Sequence, residues 1–152
     1  NEWRRMSLRT HRIDVLEAWR WPNAHLSFPR AVAPSAGEPV VEKQVFSGFF
    51  ETNLDAVLRG YRARNLVVVG GDGLVCLGTT VVDAMYRDYR VIALRDAVIT
   101  NEFPETRDGM WASWLAIRQI ESTVGYTSSV DELIAACDQV AAAAEASEEG
   151  AR

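Results

Sequence analysis

The chain has 152 residues, of which 48% are hydrophobic and 24% charged, so it is long and apolar enough to bury a globular core. Its formal net charge of -5, from 16 basic and 21 acidic residues, argues against a general nucleic-acid binder, because such proteins neutralise phosphates with basic side chains. No apolar run approaches the roughly 20 residues that span a bilayer, and the first residues lack the apolar stretch of a signal peptide. We therefore expect a cytoplasmic protein with neither a nucleic-acid nor a membrane partner.

The first 35 residues differ from the rest of the chain. They contain six arginines and three of the five tryptophans, without a helical or alternating hydrophobic period. The run Trp19-Arg20-Trp21 suits either a loop that covers a substrate or a contact between subunits. We interpret residues 1–35 as a variable cap or interface segment of a single domain that spans residues 1–152.

Strand and helix patterns alternate along the rest of the chain. Short apolar runs predict strands at residues 39–43, 66–69 and 91–94. Helical spacing predicts helices after Thr52, at residues 75–89 and 110–120, and after Ser129. This alternation is typical of a three-layer α/β/α fold with a mostly parallel sheet.

The same patterns predict which residues face the core. The run at 66–69 is so rich in β-branched residues that we expect a strand buried on both faces. The predicted inward faces of the last three helices consist of large apolar residues: Val75, Val82, Met85 and Tyr86; Met110, Trp114, Ile117 and Ile120; Leu133, Ile134 and Cys137.

Cys76 lies a few residues after a predicted strand, where the chain turns through glycines into a helix. The carboxyl ends of parallel strands are where α/β folds bind ligands. Unpaired N–H groups at a helix N-terminus favour a thiolate and stabilise an oxyanion. Lys43, at the end of the preceding predicted strand, is placed to reach the same crevice and to move a proton there. A solvated lysine and a small buried cysteine are the structural alternatives.

Three aromatic residues follow Lys43 around a serine and a glycine. We assign Phe46, Phe49 and Phe50 to the wall of a substrate pocket, together with Asp72 of the glycine-rich turn; core packing is the alternative for the aromatic residues. The turn at residues 70–73 is also a weak candidate for a phosphate loop, but it lacks the spacing of the known phosphate-binding motifs.

The residues that carry a family resemblance are the run VEKQVFSGFFETNLD at 41–55, the strand LVVVG at 66–70, and then Cys76, Thr80, Asp83-Ala84, Tyr89 and Asp96-Ala97. This order and spacing resemble the isochorismatase-like cysteine hydrolases, a superfamily that includes nicotinamidases, N-carbamoylsarcosine amidases and ureidoacrylate amidohydrolases.

The resemblance implies a cysteine-dependent hydrolase of a small amide, carbamoyl or ureido compound, without a cofactor. It implies a triad of aspartate, lysine and cysteine in which Cys76 is the nucleophile and Lys43 the lysine. It also implies an oxyanion hole from the backbone amides of Gly73 and Cys76, shaped by a cis peptide just before Gly73. A homodimer or homotetramer is the assembly that the resemblance suggests.

Two departures from the family pattern stand out. Gly73-Leu74 replaces a common Thr-Asn pair, and nothing before Pro34 reads as the family's first strand with its triad aspartate, since Asp14 lacks the preceding apolar run. We therefore expect that the chain is a fragment or that another chain supplies this strand. The alternative is a non-catalytic relative that acts in assembly or ligand binding. His11 and His25 are too few to support a metal site.

Overall fold

The computed structural model describes residues 28–149. The chain divides into two compact units, Asn1–Val40 and Val41–Arg152. In the first unit, the described residues form one short 3-10 turn, Arg30–Val32. The run Trp19-Arg20-Trp21 and most of the predicted cap segment lie outside the described residues, and the assignment of a single domain stays a prediction.

The second unit contains a parallel sheet of three strands, which we call β1 (Asn65–Gly70), β2 (Arg90–Val98) and β3 (Tyr126–Ser128). Their order in the sheet is β1-β2-β3, and both neighbouring pairs are parallel. Each connection between them runs through a helix, as parallel pairing requires. This arrangement confirms the predicted α/β fold class.

Four helices accompany the strands: α1 (Leu54–Gly60), α2 (Cys76–Met85), α3 (Trp111–Thr123) and α4 (Val130–Glu149). Side-chain oxygens accept the first backbone N–H groups of three of them, since those groups have no partner within the helix. The Thr52 hydroxyl does so for α1, the Glu102 carboxylate for α3 and the Asp96 carboxylate for α4. The four predicted helices are thus present, and these oxygens mark the starts of three of them.

The core lies between α2, α3 and the sheet. Its members are buried apolar residues: Phe49, Leu77, Val81, Ala84, Tyr89, Val91, Ala93, Val98 and Ile120. Leu94 of β2 is also buried, and its side chain points to the face opposite Ala93 because side chains alternate along a strand. The middle strand β2 is therefore covered on both faces.

Two strand predictions are wrong. Residues 39–43 form no strand, since they pair with no strand among residues 28–149. The strand at 66–69 is present in β1 but is not buried on both faces: Val67 and Val69 are 46% and 56% exposed. In the described part of the chain β1 is an edge strand, and only its other face packs on the core.

The predicted inward faces of the helices are partly wrong. In α2 the buried residues are Leu77, Val81 and Ala84, whereas Tyr86 is 75% exposed. In α3 the buried residues are Ala112, Ala116 and Ile120, and in α4 Cys137 is exposed. Small alanines face the sheet because they let a helix approach it closely, and this turns several large side chains outward.

Candidate active site

A cavity of about 370 Å³ opens beside β1 and the start of α2. Its lining is mainly apolar and combines one cation with one thiol: Lys43, Val67, Val68, Val69, Gly71, Cys76, Leu77, Thr80 and Val81. The two residues to which the sequence assigned chemistry, Lys43 and Cys76, therefore share one cavity. A mainly apolar cavity with a few polar groups is typical of a small-molecule site.

Cys76 is the first residue of α2, and the turn that leads into it is built around Asp72. The Asp72 carboxylate accepts hydrogen bonds from the N–H groups of Leu74 (3.0 Å) and Asn101 (2.9 Å). Its carbonyl oxygen accepts the N–H of Leu77 (2.9 Å), and the peptide bond between Gly71 and Asp72 is cis. Asp72 thus fixes the turn that places the Cys76 thiol at the cavity.

The backbone amides of this turn differ in whether they have a partner. The Gly73 N–H donates to the carbonyl oxygen of Ile99 at 2.8 Å. Within residues 28–149, the N–H groups of Asp72 and Cys76 have no hydrogen-bond acceptor. Among the described residues, the unpartnered amides of this turn are therefore those of Asp72 and Cys76, and the oxyanion-hole role of Gly73 and Cys76 stays a prediction.

Lys43 lies in residues 41–53, a segment without helix or strand that we call the Lys43 loop. Its ammonium group donates to the carbonyl oxygen of Val45 at 2.9 Å. The side chain is exposed on one side and lines the cavity on the other. The sequence expectation that Lys43 reaches the Cys76 crevice agrees with this position, although a loop rather than a strand carries it.

The four residues assigned to the pocket wall do not line this cavity. Phe49 is buried in the core, where its ring lies 6.0 Å from that of Tyr89. Phe46 and Phe50 are exposed, and the Asp72 carboxylate is bound to backbone amides. Their assignment to a substrate stays a prediction.

The cavity residues that sequence reasoning missed come from two regular elements. Leu77, Thr80 and Val81 follow Cys76 at the spacing of one helical face. Val67 and Val69 lie on the exposed face of β1. Helical spacing counted from Cys76 is a signal that could have identified the residues of α2. The position of Val67 and Val69 on the cavity depends on the place of β1 at the edge of the described sheet, which no local pattern shows.

Charged groups support the far end of the Lys43 loop. Asp55 accepts hydrogen bonds from Arg59 (2.9 Å) and from the Tyr89 hydroxyl (2.8 Å). Both bonds lower the pKa of Asp55, and the bond from Arg59 has the larger effect. Burial is the main cause that raises the pKa of Tyr89, and the bond to Asp55 raises this pKa further. These groups hold the ring of Tyr89 against Phe49 and therefore serve packing rather than the cavity.

The described residues contain no cluster of three histidine, cysteine or acidic side chains that would hold a metal ion. His11, His25 and Asp14 lie outside the described residues. Among residues 28–149, no helix has the length and hydropathy needed to cross a membrane.

The family model of the Isochorismatase domain matches residues 26–120. The chain belongs to the isochorismatase family. The resemblance predicted from residues 41–55 and from Cys76 is therefore confirmed.

Relatives within the isochorismatase family include the ureidoacrylate amidohydrolase RutB of Stutzerimonas stutzeri, which is 38% identical over 114 residues, or 75% of this chain and 42% of that protein. A cysteine hydrolase from Pseudomonas syringae pv. phaseolicola has a similar structure, with a TM-score of 0.74 and 28% identity over 86% of this chain and 62% of that one. An N-carbamoylsarcosine amidase from Thermoplasma acidophilum has a TM-score of 0.54 and 32% identity over 66% and 53% of the two chains. The chain thus spans about two fifths of the length of the curated relatives that it matches.

Proposed function

We propose that this member of the isochorismatase family is a cysteine-dependent hydrolase of a small amide, carbamoyl or ureido compound. The observation that carries the proposal is the position of Cys76 at the N-terminus of α2, in one cavity with Lys43. The partial positive charge at a helix N-terminus stabilises a thiolate and the oxyanion that its attack creates.

The reaction consists of two steps. The Cys76 sulfur attacks the carbonyl carbon of the substrate, and the amides of Asp72 and Cys76 bind the resulting oxyanion. The C–N bond then breaks, and the nitrogen leaves as ammonia or an amine after taking up a proton. Water hydrolyses the acyl group on sulfur, which releases the acid and restores the thiol. Lys43 transfers protons in both steps.

The proton acceptor is the component that the described cavity lacks. No carboxylate lines the cavity among residues 28–149, and the Asp72 carboxylate is bound to the amides of Leu74 and Asn101. We propose that an acidic residue from outside the described residues completes the site beside Lys43 and Cys76. This residue is the aspartate that the family resemblance implies.

The relatives support the substrate class. RutB of Stutzerimonas stutzeri is named as a ureidoacrylate amidohydrolase, and the structural neighbour from Thermoplasma acidophilum as an N-carbamoylsarcosine amidase. Both names describe cleavage of a C–N bond next to a carbonyl group. A cytoplasmic location and a homodimeric or homotetrameric assembly stay predictions.

The second candidate function is that of a non-catalytic relative which binds a ligand or takes part in assembly. The lack of a carboxylate on the cavity lining of the described residues favours it. A protein of this kind keeps the fold and the cavity without turnover.

Ammonia release from a panel of primary amides, carbamoyl compounds and ureido acids separates the two functions. We expect turnover by the full chain and by Cys137→Ala, because Cys137 is exposed on α4 and does not line the cavity. Loss of the nucleophile in Cys76→Ala should abolish turnover. Equal turnover in the wild type and Cys76→Ala would contradict the hydrolase mechanism, and no turnover on any compound would favour the binding protein.

A further inference from the structure

The Lys43 loop has neither helix nor strand, yet it carries Lys43, whose ammonium group and the Cys76 thiol are the two groups to which we assign chemistry in the cavity. Backbone pairing in a sheet cannot hold it, since no described strand includes residues 41–53. The position of Lys43 relative to Cys76 therefore depends on the side-chain contacts of this loop.

Those contacts follow one face of α2. Ser47 donates a hydrogen bond to the carboxylate of Asp83, and the backbone N–H of Gly48 donates to the Thr80 hydroxyl at 2.8 Å. The Thr80 hydroxyl in turn donates to the carbonyl oxygen of Cys76 at 2.6 Å. Cys76, Thr80 and Asp83 are spaced by four and three residues, so they lie on one side of the helix.

An arginine in the turn that follows α2 holds the Asp83 carboxylate in place. Arg87 forms an ion pair with the Asp83 carboxylate at 3.1 Å and also donates to the Asp83 carbonyl oxygen at 2.9 Å. The Arg87 guanidinium lies 4.9 Å from the centre of the Phe49 ring, which belongs to the Lys43 loop. The loop is thus attached to α2 through polar groups and to the turn after α2 through a ring.

Hydrogen bonds within the loop lie between Lys43 and the residues that contact α2. The Ser47 hydroxyl accepts the N–H of Phe49 at 3.1 Å. The Lys43 ammonium is bonded to the carbonyl oxygen of Val45, two residues before Ser47. Gly48 approaches α2 so closely that a Cβ atom there would lie 3.3 Å from the Thr80 methyl group. The bonded pair Lys43 and Val45 therefore lies only two residues before the point at which the loop is attached to α2.

We propose that Ser47, Thr80 and Asp83 are positioning residues, which hold the Lys43 loop against the helix that begins with Cys76 and so fix the ammonium in the cavity that Cys76 also lines. This inference rests on the proposed function for the chemistry of Lys43 and Cys76. Ser47 and Asp83 do not line the cavity and act through Lys43, whereas Thr80 lines the cavity and also joins the loop to the helix.

The test measures the reactivity of the Cys76 thiol, which requires no substrate. The full chain is treated with iodoacetamide across a range of pH, and peptide mass spectrometry follows alkylation of Cys76, with the exposed Cys137 as the reference in the same molecule. The variant Lys43→Met defines the effect on alkylation of losing the ammonium group.

Four variants test the attachment. Thr80→Val and Ser47→Ala remove its hydroxyl groups, and Thr80→Ser keeps one. Thr79→Val is the matched control, since the Thr79 hydroxyl is exposed and, among residues 28–149, bonds only to the carbonyl oxygens of Val75 and Cys76. We expect Thr80→Val and Ser47→Ala to slow Cys76 alkylation at neutral pH as Lys43→Met does, by about tenfold, as misplacement of a reacting group does. Thr80→Ser and Thr79→Val should stay within about twofold of the wild type.

The double variant Lys43→Met/Thr80→Val separates positioning from a general loss of structure. If Thr80 acts through Lys43, the double variant alkylates no more slowly relative to Cys137 than Lys43→Met alone. A further slowing in the double variant, or an unchanged rate in Thr80→Val and Ser47→Ala, would overturn the proposal. Ser47→Ala keeps the test valid if Thr80→Val fails to fold.

Turnover gives an independent readout. In the ammonia assay, Ser47→Ala should lower kcat by about tenfold with KM within about twofold, because Ser47 does not line the cavity. Failure of the hydrolase proposal would appear as no turnover in the wild type while the alkylation pattern persists. A rise in KM at unchanged kcat would assign Ser47 to substrate binding and overturn the positioning proposal.

Discussion

The strands β1 and β2 have nearly equivalent sequences but very different surroundings. Residues 66–69 read Leu-Val-Val-Val and residues 91–94 read Val-Ile-Ala-Leu. Val91 and Ala93 of β2 are fully buried, whereas Val67 and Val69 of β1 are about half exposed. Leu66 and Val68 of β1 pair with Val91 and Ala93 and pack on the core, whereas Val67 pairs with Ile92 on the opposite face. The difference therefore comes mainly from the face of the sheet; in addition, β1 has a neighbouring strand on one side only among the described residues.

The two strands belong to two regions of the molecule with different roles. The β2 region forms the core with α2 and α3, and its side chains at Val91, Ala93 and Leu94 are buried. The β1 region borders the open cavity that contains Lys43 and Cys76. A long apolar run therefore predicts a strand, but it does not tell whether that strand stabilises the core or lines a site. The following substitutions test this division.

The largest effect is expected at Gly125, which lies between α3 and β3. A Cβ atom there would lie 2.4 Å from the carbonyl oxygen of Val91, a backbone atom in the middle of the sheet. We expect Gly125→Ala to lower the free energy of unfolding by about 3 kcal/mol, because an overpacked core must shift its backbone. Gly60→Ala is the matched control, since no described atom beyond its chain neighbours and the backbone of its own helix lies within 4 Å of its Cβ position. Urea denaturation of both variants checks this, and equal losses would contradict the closed β2 region.

A valine pair compares the core face of β2 with the exposed face of β1. Val91→Ala removes two methyl groups from a fully buried site and should cost about 2 kcal/mol of unfolding free energy. The same substitution at Val67 should cost less than about 0.5 kcal/mol, because this side chain is half exposed. A cost at Val67 as large as that at Val91 would mean that the exposed face of β1 is covered in solution.

The smallest expected effect concerns pH and the start of α3, which packs on β2. Desolvation of Glu102 opposes its ionisation, but hydrogen bonds from Thr106 and from the amides of Ser113 and Ala112 outweigh it and lower the pKa of Glu102 from 4.5 to about 2. The unfolded chain protonates this group near pH 4.5, whereas the folded chain keeps it charged to about pH 2. Its stabilising contribution is therefore complete above pH 4.5 and is lost as the pH falls towards 2.

Thermal melts between pH 6 and pH 2.5 check this contribution. We expect the Tm of the wild type to fall more steeply with acid than that of Glu102→Gln, since the variant has no carboxylate to protonate at this position. Glu132, whose pKa is also lowered to about 2, is present in both proteins and cancels from the comparison. Parallel curves would show that Glu102 does not anchor α3.

The sequence predicted the elements whose signal is local. The β-branched runs at 66–69 and 91–94 correspond to β1 and β2, and the serine pair before Val130 corresponds to the start of α4. The strand β3 was missed because three residues are too few for an alternating pattern to show. Residues 39–43 have the composition of a strand but no partner among the described residues, and pairing is not encoded locally.

The candidate site also combines features that the sequence predicts locally with features that depend on distant residues. From the glycine turn before Cys76 and the family spacing, the sequence predicts that Lys43 and Cys76 lie near each other in the fold. In the structure both residues line one cavity. The bond of Gly73 to Ile99 and the bond of Asp72 to Asn101 join residues 26 and 29 positions apart. Such contacts depend on how β1 and β2 pair, so no motif around Cys76 reveals them.

Detection of the covalent intermediate tests the central claim most directly. The full chain is mixed with a substrate that releases ammonia, quenched in acid within milliseconds and digested, and mass spectrometry locates the acyl group. We predict an acylated Cys76 peptide in the wild type and in Cys137→Ala, and no acylated peptide in Cys76→Ala. An acyl group on Cys137 alone, or unchanged turnover by Cys76→Ala, would contradict the assignment of Cys76 as the nucleophile.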